Sequence, residues 1–237
     1  MTNSAVRTQP VPADSNFLPG PVLLIGAPGV GKGTQAKLLM VDLGIPQIST
    51  GDILRANIAQ GTELGKVAKS LMDQGQLVSD DFVKQMVADR LAQPDTHRGY
   101  ILDGFPRTLN QAEWVDNHLA KDQNALPIVA ISILVDYNRL LHRITGRRLS
   151  PAGRIYNIYT SAPQVHGICD IDGSTLLQRP DDTEEVFVER MKTFEAQTAP
   201  VVEHYRKRGR FEEVDGDQPV EYVTAAINAA LHRLRQR

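Results

Sequence analysis

Cysteine is nearly absent: the 237 residues contain one, Cys169. A single thiol excludes an intramolecular disulfide and a four-cysteine zinc site, and it fits a reducing compartment, so a cytoplasmic location is the expectation. No apolar run approaches the ~20 residues that cross a bilayer, so no membrane association is expected. Neither sign of charge dominates. The 26 Lys and Arg against 28 Asp and Glu leave a net charge of −2. No global basic field recruits nucleic acid or an anionic membrane, and any anion site must come from locally clustered cations. Internal repeats and low-complexity tracts are also missing. What remains is an ordinary globular composition, 41% hydrophobic, long enough for one large domain or one domain with insertions.

The most informative stretch is Gly26-Ala27-Pro28-Gly29-Val30-Gly31-Lys32-Gly33-Thr34, between the apolar run Val22-Leu23-Leu24-Ile25 and a helix-prone segment over 35–40. It reads as strand, phosphate loop, helix. The glycines let successive backbone N–H groups converge on an anion, and the helix N-terminus adds partial positive charge. Lys32 would reach the β- and γ-phosphates of a nucleotide. Gly33 stands where the common form of this loop has Ser or Thr, and the hydroxyl comes one place later at Thr34, which points away from GTPase switches.

The remaining chain alternates strands and helices. Residues 45–49 and 100–103 read as strands, and the helical segments between them (53–59, 63–74 and 79–91) replace a single crossover helix, the last with Ser79 as N-cap candidate. The nearly all-apolar 128–135 suits a strand buried on both faces, 211–214 a last strand and 220–234 a last helix. The fold class is therefore α/β. Asp103 and Arg107, at the carboxyl end of their strand, share the crevice of the phosphate loop. Arg139, Arg143 and Arg147, spaced i, i+4 and i+8, are expected to stack along one helix face. Residues 149–177, rich in glycine and proline, read as a small inserted flap, and a long helix is expected from about 179 to 208 with Asp181 to Glu185 at its positive end.

Four stretches together resemble the adenylate kinases of the nucleoside monophosphate kinase family: residues 26–34; Gln47-Ile48-Ser49-Thr50-Gly51-Asp52-Ile53-Leu54-Arg55; Leu102-Asp103-Gly104-Phe105-Pro106-Arg107 with Gln111; and Gly146-Arg147-Arg148. The resemblance implies a five-stranded parallel sheet with helices on both faces, a helical NMP-binding insertion and a small β-rich lid. It divides residues 21–237 into a core (21–48, 79–146, 184–237), an NMP-binding part (49–78) and a lid (147–183); residues 1–20, with three prolines and no apolar periodicity, lie outside it and read as a disordered arm. It also implies reversible, Mg²⁺-dependent phosphoryl transfer from ATP to AMP giving two ADP, maintaining adenine nucleotide balance, by a monomer.

Carried over residue by residue, the resemblance assigns ATP to Gly29, Val30, Gly31, Lys32, Gly33, Thr34, Arg143, Arg147, Ile155, Tyr156 and Gln218. AMP falls to Thr50, Arg55, Gln76, Leu77, Val78, Gly104, Phe105, Pro106, Arg107, Gln111, Arg179 and Arg190. Lys32, Arg107, Arg143, Arg147, Arg179 and Arg190 are the catalytic group, and Asp103 organises Mg²⁺ through water. The residue types agree with this: a guanidinium fork pairs with phosphate, and an amide reads the donor and acceptor edge of adenine.

The rival within the enzyme class is a GTP:AMP phosphotransferase. A nucleotide-dependent switch would need a guanine reader of Asn-Lys-x-Asp type, which the sequence lacks. Zinc-bearing lids of the family carry two Cys-x-x-Cys pairs, whereas here His166 and Cys169 make only half a site, so no zinc is expected and Ser150, Asp170 and Asp172 are candidates to pin the flap. The arm has Arg7, Asp14, Pro10 and Pro12, a poor composition for a mitochondrial presequence, which leaves a mitochondrial location as the alternative.

Overall fold

The computed structural model describes residues 17–122 and 125–236. Its central sheet is wholly parallel, in the order β2-β3-β1-β4-β7. The strands are β1 (Gly20–Ile25), β2 (Gln47–Ser49), β3 (Gly99–Asp103), β4 (Val129–Leu134) and β7 (Phe211–Asp215). All six residues of β1 are buried, as a strand covered on both faces requires. Its side chains alternate between two cores: Val22 and Leu24 join Leu39, Ile131 and Ile227 on one face, while Leu23 and Ile25 join Leu102, Val115 and Tyr205 on the other. The chain lays β2 and β3 on one side of β1 and β4 and β7 on the other. That reversal opens a crevice at the carboxyl end of β1, where the glycine loop begins.

Helix α1 (Lys32–Leu43) follows the loop. Between β2 and β3 lie α2 (Thr50–Gln60), α3 (Glu63–Asp73) and α4 (Asp80–Leu91), the expected helical excursion. Then come α5 (Leu109–Leu119), α6 (Tyr137–Thr145), the antiparallel pair β5 (Arg147–Leu149) and β6 (Ile155–Asn157), α7 (Glu184–Thr193), α8 (Ala199–Arg206) and α9 (Val220–Arg235). Isolated bridges, Leu149 to Leu177 and Ile168 to Thr175, hold the inserted flap together.

Four expectations change. The three arginines do not share a helix face, because α6 ends at Thr145 and Arg147 begins β5; Arg139 instead turns to Asp217 at 3.3 Å on the surface. The long helix after 179 starts later and is broken. Thr183 caps α7 by accepting from the Val186 N–H, and a π-helical turn over 194–198 precedes Pro200, which has no N–H to continue an α-helical ladder. Ser79 sits at the N-cap of α4 but makes no capping bond. The arm expected over 1–20 lies outside the described residues up to 16, and Phe17 already packs, its ring stacked on His232 at 3.9 Å.

Candidate active site

A cavity of about 630 Å³ opens at the carboxyl ends of β1 and β3. The phosphate loop forms one wall. Gly31 precedes α1 with φ 101° and leaves the first-turn N–H groups without a side-chain cap, so they remain available to an anion. No atom would obstruct a Cβ there, so conformation and not space demands glycine at that position. Lys32 Nζ donates to the carbonyls of Gly26 (2.6 Å) and Ala27 (3.1 Å). Burial pushes its ammonium down to about 8; Asp103 opposes this, and Arg107, Arg190 and Arg147 add to it.

The opposite wall is built on Gly104, whose carbonyl accepts from Thr50 Oγ1 at 2.9 Å and Arg107 Nε at 2.8 Å. Here space and conformation both require glycine: φ is 79°, and a Cβ would stand 2.9 Å from the Thr50 hydroxyl. Arg55 reaches the cavity from α2 and donates to Asp52 at 2.6 Å. That bond, against the burial that opposes it, holds the Asp52 carboxyl below its usual range.

A third group of cations comes from the segment between α6 and α7. Arg147 grips the fully buried Asp182 through two N–H groups, and Arg190 donates to Asp181 at 2.9 Å. Asp181 and Asp182 therefore pair with arginines and do not serve at a helix start, which comes only at Glu184. Arg179 makes no ion pair with a described carboxylate. Burial holds Arg179 and Arg190 down at about 10 and lowers Arg107 as well. Arg143 lies against the loop, donating to Val30 O (3.3 Å) and Gly216 O (3.0 Å). The cavity takes in every residue expected to touch nucleotide except Phe105, which is fully buried in the core with its ring edge-on to Trp114.

A family model described as "Adenylate kinase" matches residues 24–210. Among similar proteins are adenylate kinases of Nitrosococcus oceani, 48% identical over 216 residues, and of Thermodesulfovibrio yellowstonii, 46% identical over 213; each alignment covers 90% of this chain and 99% of the relative. One from Methanocella arvoryzae is 44% identical over 213 residues, with 90% and 98% covered. The chain belongs to the adenylate kinase family. The adenylate kinase match includes every expected site residue except Gln218.

For an adenylate kinase, the fit of a divalent cation rests on Asp103. Its carboxylate sits 3.6 Å from where a Cβ on Gly33 would be, and it accepts from Gln47 Nε2 at 3.0 Å. Among the described residues no three His, Cys, Asp or Glu side chains form a metal cage. A lone carboxylate beside a phosphate loop fits a Mg²⁺ that keeps water and phosphate as its other ligands.

In the flap, Cys169 is buried with its sulfur 3.4 Å from the Tyr156 hydroxyl, and Asp172 accepts from Arg154 and from the Ser174 N–H and hydroxyl. Asp170 accepts from the Gln164 N–H at 2.8 Å, and Ser150 Oγ from the Arg154 N–H at 3.2 Å. Sequence reasoning missed three supporting residues: Asp80 behind Gln111, Gln47 on Asp103, and Asp217 beside Arg143. Asp80 was visible only as an acidic residue at a helix start, a role many carboxylates fill.

Proposed function

We infer that the chain is an ATP:AMP phosphotransferase, interconverting ATP plus AMP with two ADP. The donor occupies the phosphate-loop wall and the acceptor the Gly104 wall. The observation carrying this reading is the convergence of Lys32, Arg107 and Arg179, none in an ion pair with a described carboxylate, between two walls built for different ends of a reaction. Family membership supports the choice of ATP and AMP, and nothing in the relatives favours the GTP:AMP alternative.

Gly29 to Thr34 and Lys32 hold the donor phosphates, and Arg143, Ile155, Tyr156 and Gln218 line the way to the donor base. Arg55 and Arg107 grip the AMP phosphate, while Gln111 and the backbone of 76–78 take its adenine. Lys32, Arg147, Arg179 and Arg190 neutralise the group in flight. No general base is required, because phosphoryl transfer passes through a loose transition state served by alignment and charge neutralisation. Mg²⁺, organised by Asp103, supplies further neutralisation of the phosphates.

The division into core, NMP-binding part (49–78) and lid (147–183) belongs to the same reading. The lid closes over the phosphates to keep water from competing, its polar network serving in place of zinc. We also carry forward a monomeric, cytoplasmic enzyme; in support, no helix among the described residues is long and apolar enough to cross a membrane. The test is an ADP-formation assay with ATP, AMP and Mg²⁺, repeated with GTP as donor and with UMP and CMP as acceptors. Rapid turnover is expected only for ATP with AMP; absent ADP, or GTP far better than ATP, would refute the assignment.

A further inference from the structure

We propose that Asp80 is a specificity-determining residue: it fixes the orientation of the Gln111 amide and thereby restricts the acceptor base to a 6-aminopurine. The inference deepens the reading of Gln111 as the acceptor-base contact and rests on it. Gln111 lines the cavity although only 2% of it is exposed. Its carbonyl accepts from the Arg107 backbone N–H at 2.8 Å, and its NH₂ donates to Asp80 Oδ1 at 2.6 Å. A backbone N–H only donates and a carboxylate only accepts, so the two partners dictate which way the amide faces.

Once those bonds are made, the amide keeps one N–H and one carbonyl lone pair. That remainder matches an adenine edge, where a ring-nitrogen acceptor lies beside an exocyclic N–H. The ring N–H and carbonyl of a 6-oxopurine present the reverse pattern and demand the amide turned over. Turning it sets the Gln111 carbonyl against the Asp80 carboxylate and the NH₂ against the Arg107 N–H, two repulsive contacts at a buried residue.

Asp80 is itself held. Its Oδ2 accepts from Thr108 Oγ1 at 2.9 Å, and the same hydroxyl oxygen accepts from the Gln111 N–H at 3.2 Å. The ring of Asp80, Thr108 and Gln111 ties the first residue of α4 to the first turn of α5. A carboxylate serving only the helix N-terminus would have no need to face an amide 31 positions away.

The test measures kcat/KM for AMP and for inosine monophosphate at saturating ATP and Mg²⁺ in the full chain, for Asp80→Ala, Asp80→Asn and Gln111→Ala. In Asp80→Ala the preference for AMP should fall by about tenfold or more with KM for ATP unchanged. Asp80→Asn, whose carbonyl still accepts from Gln111, should keep the preference within about threefold. A parallel fall for both acceptors in Asp80→Ala, with the preference intact, would make Asp80 merely structural and overturn the proposal. If Asp80→Ala cannot be purified, Thr108→Val, which frees Oδ2 while keeping the α4 carboxylate, should lower the preference; an unchanged preference there is equally fatal. Gln111→Ala separates the premise from the inference. Unchanged AMP use in that variant removes the acceptor-base reading itself, whereas impaired AMP use with an intact preference in Asp80→Ala removes only the role of Asp80.

Discussion

At the amino end of the sheet Asp116 gathers three basic side chains, whereas at the carboxyl end Lys32, Arg107 and Arg179 have no described carboxylate within ion-pair distance. Asp116 accepts from His204 Nε2 at 2.8 Å and Arg210 Nη2 at 3.2 Å, and lies 3.7 Å from Arg208. Arg208 donates to His204 Nδ1 at 3.1 Å, which leaves Nε2 as the protonated nitrogen facing Asp116. Arg235, half-buried, donates to the carbonyls of Pro19, Pro127 and Pro21. One end is complete in itself. The other keeps half-buried cations whose desolvation no carboxylate partner offsets, the signature of a site built for a polyanion.

The sharpest way to break this comparison is Lys32→Met. Removing the cation nearest the loop should lower kcat by about 10³-fold, because oriented charge at the transferring phosphoryl group is the main catalytic resource here. Thermal stability should hold or rise, since a buried ammonium with no ion pair is removed. A variant that loses stability in proportion to activity would mean that Lys32 is structural.

The opposite end predicts the mirror result. Asp116→Ala leaves His204 and Arg210 without their acceptor and should cost about 3 kcal/mol in denaturant unfolding, as breaking one side of a buried ion pair does. Its kcat, measured on folded protein, should stay within about twofold of the parent. A kcat loss comparable to that of Lys32→Met would join the two ends into one functional unit and end the contrast.

How much of this was legible in sequence follows from the reach of each interaction. The run 22–25, the glycines and Lys32 are contiguous, so strand, loop and helix declared themselves locally. The sheet followed from apolar runs spaced by helices. Arg147 did not follow its spacing from Arg143, because α6 stops where Asn157, from the flap, donates to the Arg143 carbonyl at 3.1 Å. That cap comes from fourteen positions away, and no i+4 rule contains it. Phe105 lies inside the motif, yet its ring faces the core, a direction the motif does not encode. Asp80 and Asp217 act on Gln111 and Arg143 across long sequence separations, so only the folded chain brings them together.

The smallest effect expected is a pH dependence, and it separates the two ends without a destabilising substitution. Burial sets Lys32 at about 8 against an ordinary 10.5. Between those values the folded, ligand-free chain binds fewer protons at this site than the unfolded chain. The cost of burying the ammonium is therefore full below pH 8 and fades as pH rises toward 10.5, so this group makes the empty enzyme relatively more stable across that window. Activity moves the other way, because phosphate must meet the charged form. kcat/KM for ATP should fall about tenfold per pH unit above 8, whereas kcat at saturating ATP should hold to higher pH, since bound phosphates favour the ammonium. Lys32→Arg keeps its charge throughout, so its lower kcat/KM should be flat from about pH 8 to 9.5. A decline with the same midpoint in Lys32→Arg would assign the titration to another group and leave Lys32 charged across the range.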